Sequence, residues 1–246
     1  MYGRSRAALD FPVLEIRRQA FPQQAKKIGI GMENRYLESC KTQNTGGVIP
    51  GLTGSCIVFS AHYDHLGRMG KRAFFPGAND NASGVSLLLD LARHFSSADE
   101  KPYYSVVFLF FSAEEVGLLG SKYYTEFPAF PLEKIKCLIN LDLVGTGDDG
   151  IKVVNGSVYP EIFNPLDSLN RKNSYLEKVS SRGAAANSDH YFFHENGVPS
   201  VFIYTLGGIA EYHNIYDIAE TLPLTGYKGL FRLLDGFVAY VSPKNY

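Results

Sequence analysis

The chain has 246 residues, 45% of them hydrophobic and 20% charged, which suits one large soluble domain with a substantial core. A formal net charge of −1 supplies no global field for nucleic acid or an anionic membrane, and no apolar run is long enough to span a bilayer as a helix. The three cysteines, Cys40, Cys56 and Cys137, are scattered with no Cys-x-x-Cys pair, which argues against a thiolate metal site and against a disulfide framework.

Met1 to Arg6 lack the long apolar stretch of a signal peptide, so the expectation is a cytoplasmic protein or a chain that begins after a removed leader. Phe11–Ile16 and Ile28–Met32 read as short strands. Asn44–Gly51 is rich in turn residues and reads as a tight connection into the main sheet. Cys56–Ala61 is a continuous apolar run, as expected for a strand buried on both faces. From Ser83 to Phe95 the apolar residues Val85, Leu88, Leu89, Ala92 and Phe95 recur at helical spacing. Ser105–Phe111 reads as a second buried strand, Glu115–Tyr124 as a helix, Ile135–Leu143 as a third strand and Ile151–Val154 as a fourth. Pro160–Leu169 reads as a helix, Tyr191 and its neighbours as a shorter one, Ser200–Tyr204 as a buried strand, and Tyr227–Tyr240 as a closing amphipathic helix. Cys56 and Cys137 fall inside apolar runs and read as small buried hydrophobes. The alternation predicts an α/β domain with a mostly parallel mixed central sheet and helices on both faces. In such sheets ligands bind beyond the carboxyl ends of the strands.

Polar residues gather at those ends. The first strand runs into His62-Tyr63-Asp64-His65, the second into Glu114-Glu115 and the third into Asp142. The loop before the first long helix is Gly77-Ala-Asn79-Asp80-Asn81-Ala-Ser-Gly84, and Tyr212-His213 comes near the end. Each has a plain alternative: Asp80 as a turn or cap residue, the glutamate pair as the acidic first turn of a helix. Together, two histidines and three carboxylates, with one carboxylate to spare, meet at one sheet edge. That mixture suits zinc. A pair of zinc ions needs a shared carboxylate, and five ligands divide into one bridging Asp plus one His and one carboxylate per metal. Asn81 and Asn155 stand in Asn-x-Ser sequons, but glycosylation is not expected with Asn81 inside the strongest motif.

His62-x-Asp64, Gly77-Ala-Asn-Asp80-Asn-x-x-Gly84, Glu114-Glu115-x-Gly117-Leu-x-Gly120-Ser121, Asn140-x-Asp142, Ser188-Asp189-His190 and Tyr212-His213 occur in an order that resembles the co-catalytic di-zinc aminopeptidases, relatives of glutamate carboxypeptidase and glutaminyl cyclase. The resemblance covers residues 44 to 246. Residues 1–43 resemble the tail of a protease-associated domain, and only faintly. The resemblance implies a zinc exopeptidase fold of the phosphorylase/hydrolase-like kind, two zinc ions per chain, and peptide substrates with a free N-terminus. It implies that Asp80 bridges the metals, that His62 and Asp142 bind one, and that Glu115 and His213 bind the other. Glu114 would then be the general base, Asp64 would orient His62, and Tyr212 would hydrogen-bond the developing oxyanion. It also implies a periplasmic or secreted location. The alternatives are a single-zinc glutaminyl cyclase using Asp80, Glu115 and His213, a carboxypeptidase or dipeptidase holding its substrate through Arg68, Lys71, Arg72 or Arg182, and a metal-free receptor-like ectodomain.

Lesser expectations complete the reading. His65 reads as a loop or supporting residue, Asp189 as a helix start, and Asp217 as a support for His213 or a surface residue. His94 reads as a partner of a helix C-terminus. Phe192, Phe193, Phe202 and Tyr204 are candidates for an apolar side-chain pocket or for plain core.

Overall fold

The computed structural model describes residues 24–31 and 39–243 of a chain that divides between Lys41 and Thr42 into two units. In the first unit the described residues form no helix or strand and lie exposed. The strand expected at Ile28–Met32 is therefore missing over residues 28–31. Alternate glycines leave only Ile28 and Ile30 as apolar side chains there, and both are about half exposed. The strand expected at Phe11–Ile16 lies outside the described residues.

The second unit is built on strands β1 (Thr45–Ile49), β2 (Cys56–His62), β3 (Gly67–Met69), β4 (Ala73–Phe75), β5 (Ser105–Phe111), β6 (Ile135–Leu141), β7 (Ile151–Val154), β8 (Val179–Ser181) and β9 (Ser200–Thr205). Its helices are α1 (Ser83–Ser96), α2 (Leu119–Glu126), α3 (Pro160–Asn173), α4 (His190–Glu195) and α5 (Tyr227–Tyr240). Seven strands form one sheet in the order β1-β5-β2-β6-β9-β7-β8, and β3 and β4 make a separate hairpin. The four central strands run parallel, while β1 lies antiparallel to β5 and β7 antiparallel to β9. The expected mostly parallel, mixed sheet is thus observed.

Period-two alternation divides the core into two layers. Ile57, Phe59 and Ala61 of β2 face a layer with Leu87, Leu88 and Leu91 of α1, Leu166 of α3 and Leu233, Leu234 and Phe237 of α5. Cys56 and Val58 face the other, with Tyr124 of α2 and Phe193 of α4. Both layers are buried, so the central strands read as unbroken apolar runs. Cys56 and Cys137 are buried and unpaired, and burial pushes the Cys56 thiol up to about 11. Asn81 and Asn155 are buried as well, at 2% and 1% exposure, which leaves neither available for a glycan in the folded chain.

Three expectations need correction. Asn44–Gly51 is not a connection: Thr45–Ile49 forms the edge strand β1. Gly46 lets it lie close, since a Cβ there would stand 2.6 Å from the Phe108 carbonyl oxygen. The second helix starts at Leu119 rather than Glu115, because Gly117 and Leu118 take positive φ and break the helical path. Glu114 and Glu115 therefore sit in a turn, not in a first helical turn. The third strand ends at Leu141, so Asp142 lies just beyond it. The β3–β4 hairpin and β8, each strand three residues long, were not anticipated.

Leu138 on β6 is fully buried in the second layer. Leu138→Ala is expected to destabilise the domain by about 2–5 kcal/mol through lost burial and a residual cavity, read as a lower urea midpoint at unchanged m-value.

Candidate metal centre

The carboxyl ends of β2, β5 and β6 point the same way, and the register decides who meets there. Ser60 pairs with Asn140, so two residues further His62 and Asp142 stand side by side. His62 Nε2 lies 3.4 Å from Asp142 Oδ1 and 3.3 Å from Asp80 Oδ1. All three residues are buried. Burial opposes a charge on the His62 ring, but Asp142, and then Asp80, outweigh it and raise its pKa.

Asp80 has a second oxygen, and it faces a second cluster. His213 Nε2 is 3.0 Å from Asp80 Oδ2 and 3.1 Å from Glu115 Oε2. His65 joins this group, with Nδ1 2.7 Å from Glu115 Oε1 and 4.0 Å from Asp80 Oδ1. Hydrogen bonds to Asp80 and Glu115 push the His213 imidazole up to about 10. Burial works against the Asp80 and Glu115 carboxylates, yet the facing imidazoles, His213 first, hold both below their ordinary values. The donor chemistry fits divalent cations. His62 Nε2, Asp142 Oδ1, His65 Nδ1 and Glu115 Oε1 are buried, close to opposite charge, and yet in no hydrogen bond among the described residues. Buried polar atoms left that way cost free energy unless something else binds them.

A scaffold of hydrogen bonds holds these groups. His62 Nδ1 meets the Asp64 carbonyl oxygen at 3.1 Å, while the Asp64 carboxylate is 3.8 Å away. That carboxylate instead accepts from the Glu114 and Glu115 amides, at 3.1 and 3.3 Å. Asp64 thus steadies the glutamate turn as well as the histidine. Under the other cluster runs a buried chain: Ser60 donates to Asn140 Oδ1, Asn140 Nδ2 donates to Ser188, and Ser188 donates to Asp142 Oδ2 at 3.0 Å. The Asp80 loop is fixed at both flanks. Asn81 accepts from the Gly84 amide and donates to the Leu141 carbonyl, so Asn81, not Asp80, supports the start of α1. Asp217, fully buried, accepts from the Asn79 and Asp80 amides at 2.7 and 3.0 Å. From the sequence Asp217 reads only as a support for His213 or as a surface residue. Its burial in an ungrouped Ile-Tyr-Asp-Ile stretch carried little signal.

Three further residues complete the surroundings. Glu114 is partly buried, and burial with the carboxylates of Asp142, Asp189 and Glu115 pushes it up to about 9 against the pull of His62. Tyr212 is 56% exposed, with its ring stacked on His213 at 3.9 Å between centroids. Burial of its phenol, followed by Asp80 and Asp142, raises its pKa. Asp189 opens α4 as expected, fully buried, and burial pushes it up to about 7. Phe193 and Phe202 are core residues rather than pocket lining. His94, in the last turn of α1, pairs with Asp235 of α5 at 2.9 Å. Arg68 lies over the Phe74 ring in the β3–β4 hairpin.

Comparison with known proteins finds relatives among peptidases. The model of the family described as peptidase family M28 matches residues 44–237. Aminopeptidase YwaD of Bacillus subtilis is 33% identical over 158 residues, 58% of this chain and 30% of the relative. BSAP, a zinc aminopeptidase from Bacillus subtilis, superposes with a TM-score of 0.67 at 26% identity, over 82% of this chain and 50% of that one. A glutaminyl cyclase from an Acidobacteriales bacterium shares the fold at 21% identity, with a TM-score of 0.68 over 80% of this chain and 72% of that one. The chain spans less than half the length of the curated relatives it matches.

Asp217→Ala would leave the Asn79 and Asp80 amides buried without acceptors, at about 1–3 kcal/mol for each orphaned group. The expected result is a lower melting temperature and a roughly 10–100-fold weaker affinity for divalent cations, measured by calorimetry and by chelator competition. Unchanged melting and affinity would show that the loop is anchored by other contacts.

Proposed function

The chain belongs to peptidase family M28, and from that footing we propose that it is a zinc-dependent aminopeptidase holding two zinc ions and removing residues from the free amino end of peptides. The observation that carries this reading is the position of Asp80. Its carboxylate offers one oxygen to His62 and the other to His213, with Asp142 beside the first and Glu115 beside the second. In this reading Asp80 bridges, His62 and Asp142 hold one zinc, and Glu115 and His213 hold the other. Zinc, when bound, lowers the pKa of water to about 7 and polarises a carbonyl.

The chain's own residues supply the rest. Glu114 is the general base: it takes a proton from the attacking water and passes it to the leaving amine. Burial favours its neutral form, and cationic charge in the neighbouring cluster opposes that, leaving an ionised base with a high proton affinity. Glu114 and Glu115 divide the labour because neighbours in a turn point in different directions, while Asp64 fixes the backbone of both. Tyr212 stays protonated, since its environment raises its pKa, and donates a hydrogen bond to the developing oxyanion. The carboxylates around the centre attract a substrate's α-ammonium group, which favours cleavage at the amino end. Resemblance to exported enzymes supports a periplasmic or secreted location. A single-zinc cyclase would leave His62 and Asp142 without a task.

Metal analysis of the purified protein, together with hydrolysis of aminoacyl-p-nitroanilides, tests the reading. Two zinc ions per chain and chelator-sensitive release of nitroaniline, restored by zinc, are expected. Turnover of an N-terminal glutaminyl peptide to its cyclic product, with no hydrolysis, would favour the cyclase instead. Glu114→Gln is expected to keep its zinc and to lose about 10²–10⁴ in kcat, and near-normal turnover would refute the base assignment.

A further inference from the structure

His65 was expected to be a loop or supporting residue, and its surroundings argue for more. Its side chain is 9% exposed and closes on the second cluster. His65 Nδ1, an Asp80 oxygen and a Glu115 oxygen all lie within 4.8 Å of one another. The ring also stands edge-on to the His213 ring, with centroids 5.7 Å apart.

Two observations separate a ligand from a hydrogen-bonded support. First, His65 Nδ1 and Glu115 Oε1 are 2.7 Å apart, yet neither takes part in a hydrogen bond among the described residues. The same is true of His62 Nε2 and Asp142 Oδ1 at 3.4 Å. Buried polar atoms left without a hydrogen bond need another partner, and one cation would serve both. Second, the backbone is shaped around this ring. Gly77 holds φ +67°, and a Cβ on it would stand 2.6 Å from His65 Cγ and 2.8 Å from Cδ2. The imidazole fills the space that a side chain would take, in the loop that carries Asp80.

We propose that His65 is a direct ligand, through Nδ1, of the cation that Glu115 and His213 hold, making it the third imidazole of the centre. The inference rests on the two-cation reading above and adds one residue to it. The second cluster then offers Asp80, Glu115, His65 and His213, one side chain more than the first. Neutral imidazole added to carboxylates suits zinc and other borderline cations over magnesium or calcium. The cluster of Glu115 should therefore be the one that keeps its metal longer under chelation.

The test substitutes Co²⁺ and counts hyperfine-shifted, solvent-exchangeable imidazole N–H signals by proton NMR, since each coordinated ring contributes one. The intact protein with two Co²⁺ bound is expected to show three signals, from His62, His65 and His213. His65→Gln should show two, with the tighter Co²⁺ weakened by more than the roughly 10–100-fold that loss of a supporting residue brings. Two signals in the intact protein at full Co²⁺ occupancy would overturn the proposal and return His65 to a supporting role. That count needs no variant, so a misfolded His65→Gln would not blunt it. Failure of the protein to bind any Co²⁺ would instead sink the two-cation reading itself, which distinguishes the two failures.

Discussion

Carboxylates do not gather in a dry place without compensating positive charge. Here Asp80, Asp142 and the side chain of Glu115 are almost fully buried within reach of one another, with Glu114 partly buried beside them. The imidazoles of His62, His65 and His213 are the only groups among the described residues that stand against these carboxylates as cation or cation ligand in the close pairs. Protonated imidazoles would balance part of the charge. Divalent cations would balance it better, because His62 Nε2, Asp142 Oδ1 and Glu115 Oε1, buried without a hydrogen bond, would then acquire a partner. The arrangement of the surrounding fold follows from the need to hold this charge together.

That holding is done by hydrogen bonds, from carboxylates that grip backbone amides and from neutral side chains. Asp217 and Asp64 each grip two successive amides, one pair leading into Asp80 and the other at the glutamate turn. The Ser60–Asn140–Ser188 chain delivers a single hydroxyl to Asp142. Asn44 accepts from the Ser112 amide and donates to the Gly120 carbonyl, closing the loop that carries Glu114 and Glu115. Such outer contacts fix ligand orientation before any cation arrives, which is what keeps a centre of this kind selective and tight. The sheet contributes in the same sense. Parallel strands put all their carboxyl ends on one edge, and the β2–β6 register sets His62 level with Asp142.

The fold shared with aminopeptidases and a glutaminyl cyclase shows how little of the reaction the architecture itself specifies. What such a fold leaves open is which side chains stand at the strand ends. In this chain side chains stand on both sides of Asp80: His62 and Asp142 on one, Glu115 and His213, with His65 nearby, on the other.

Much of this was legible in the sequence, for physical reasons. Buried parallel strands must be apolar throughout, so β5, β7 and α5 were readable with their boundaries, and the polar residues that interrupt those runs stood out as chemistry. His62, Asp80, Glu115, Asp142 and His213 stand close together beyond the strand ends, with Asp142 one residue past its strand. The edge strand β1, the small hairpin and β8 left no such mark, because short or exposed strands carry no apolar run. Local sequence by itself thus determined the layered fold and the identity of the groups at its rim, since burial and period are written residue by residue. Which nitrogen faces which oxygen was decided only by the tertiary structure. The grip of Asp217 on the Asp80 loop and the seat of His65 against Gly77 bring together residues far apart or oddly turned, and contacts of that kind exist only once the chain has closed on itself.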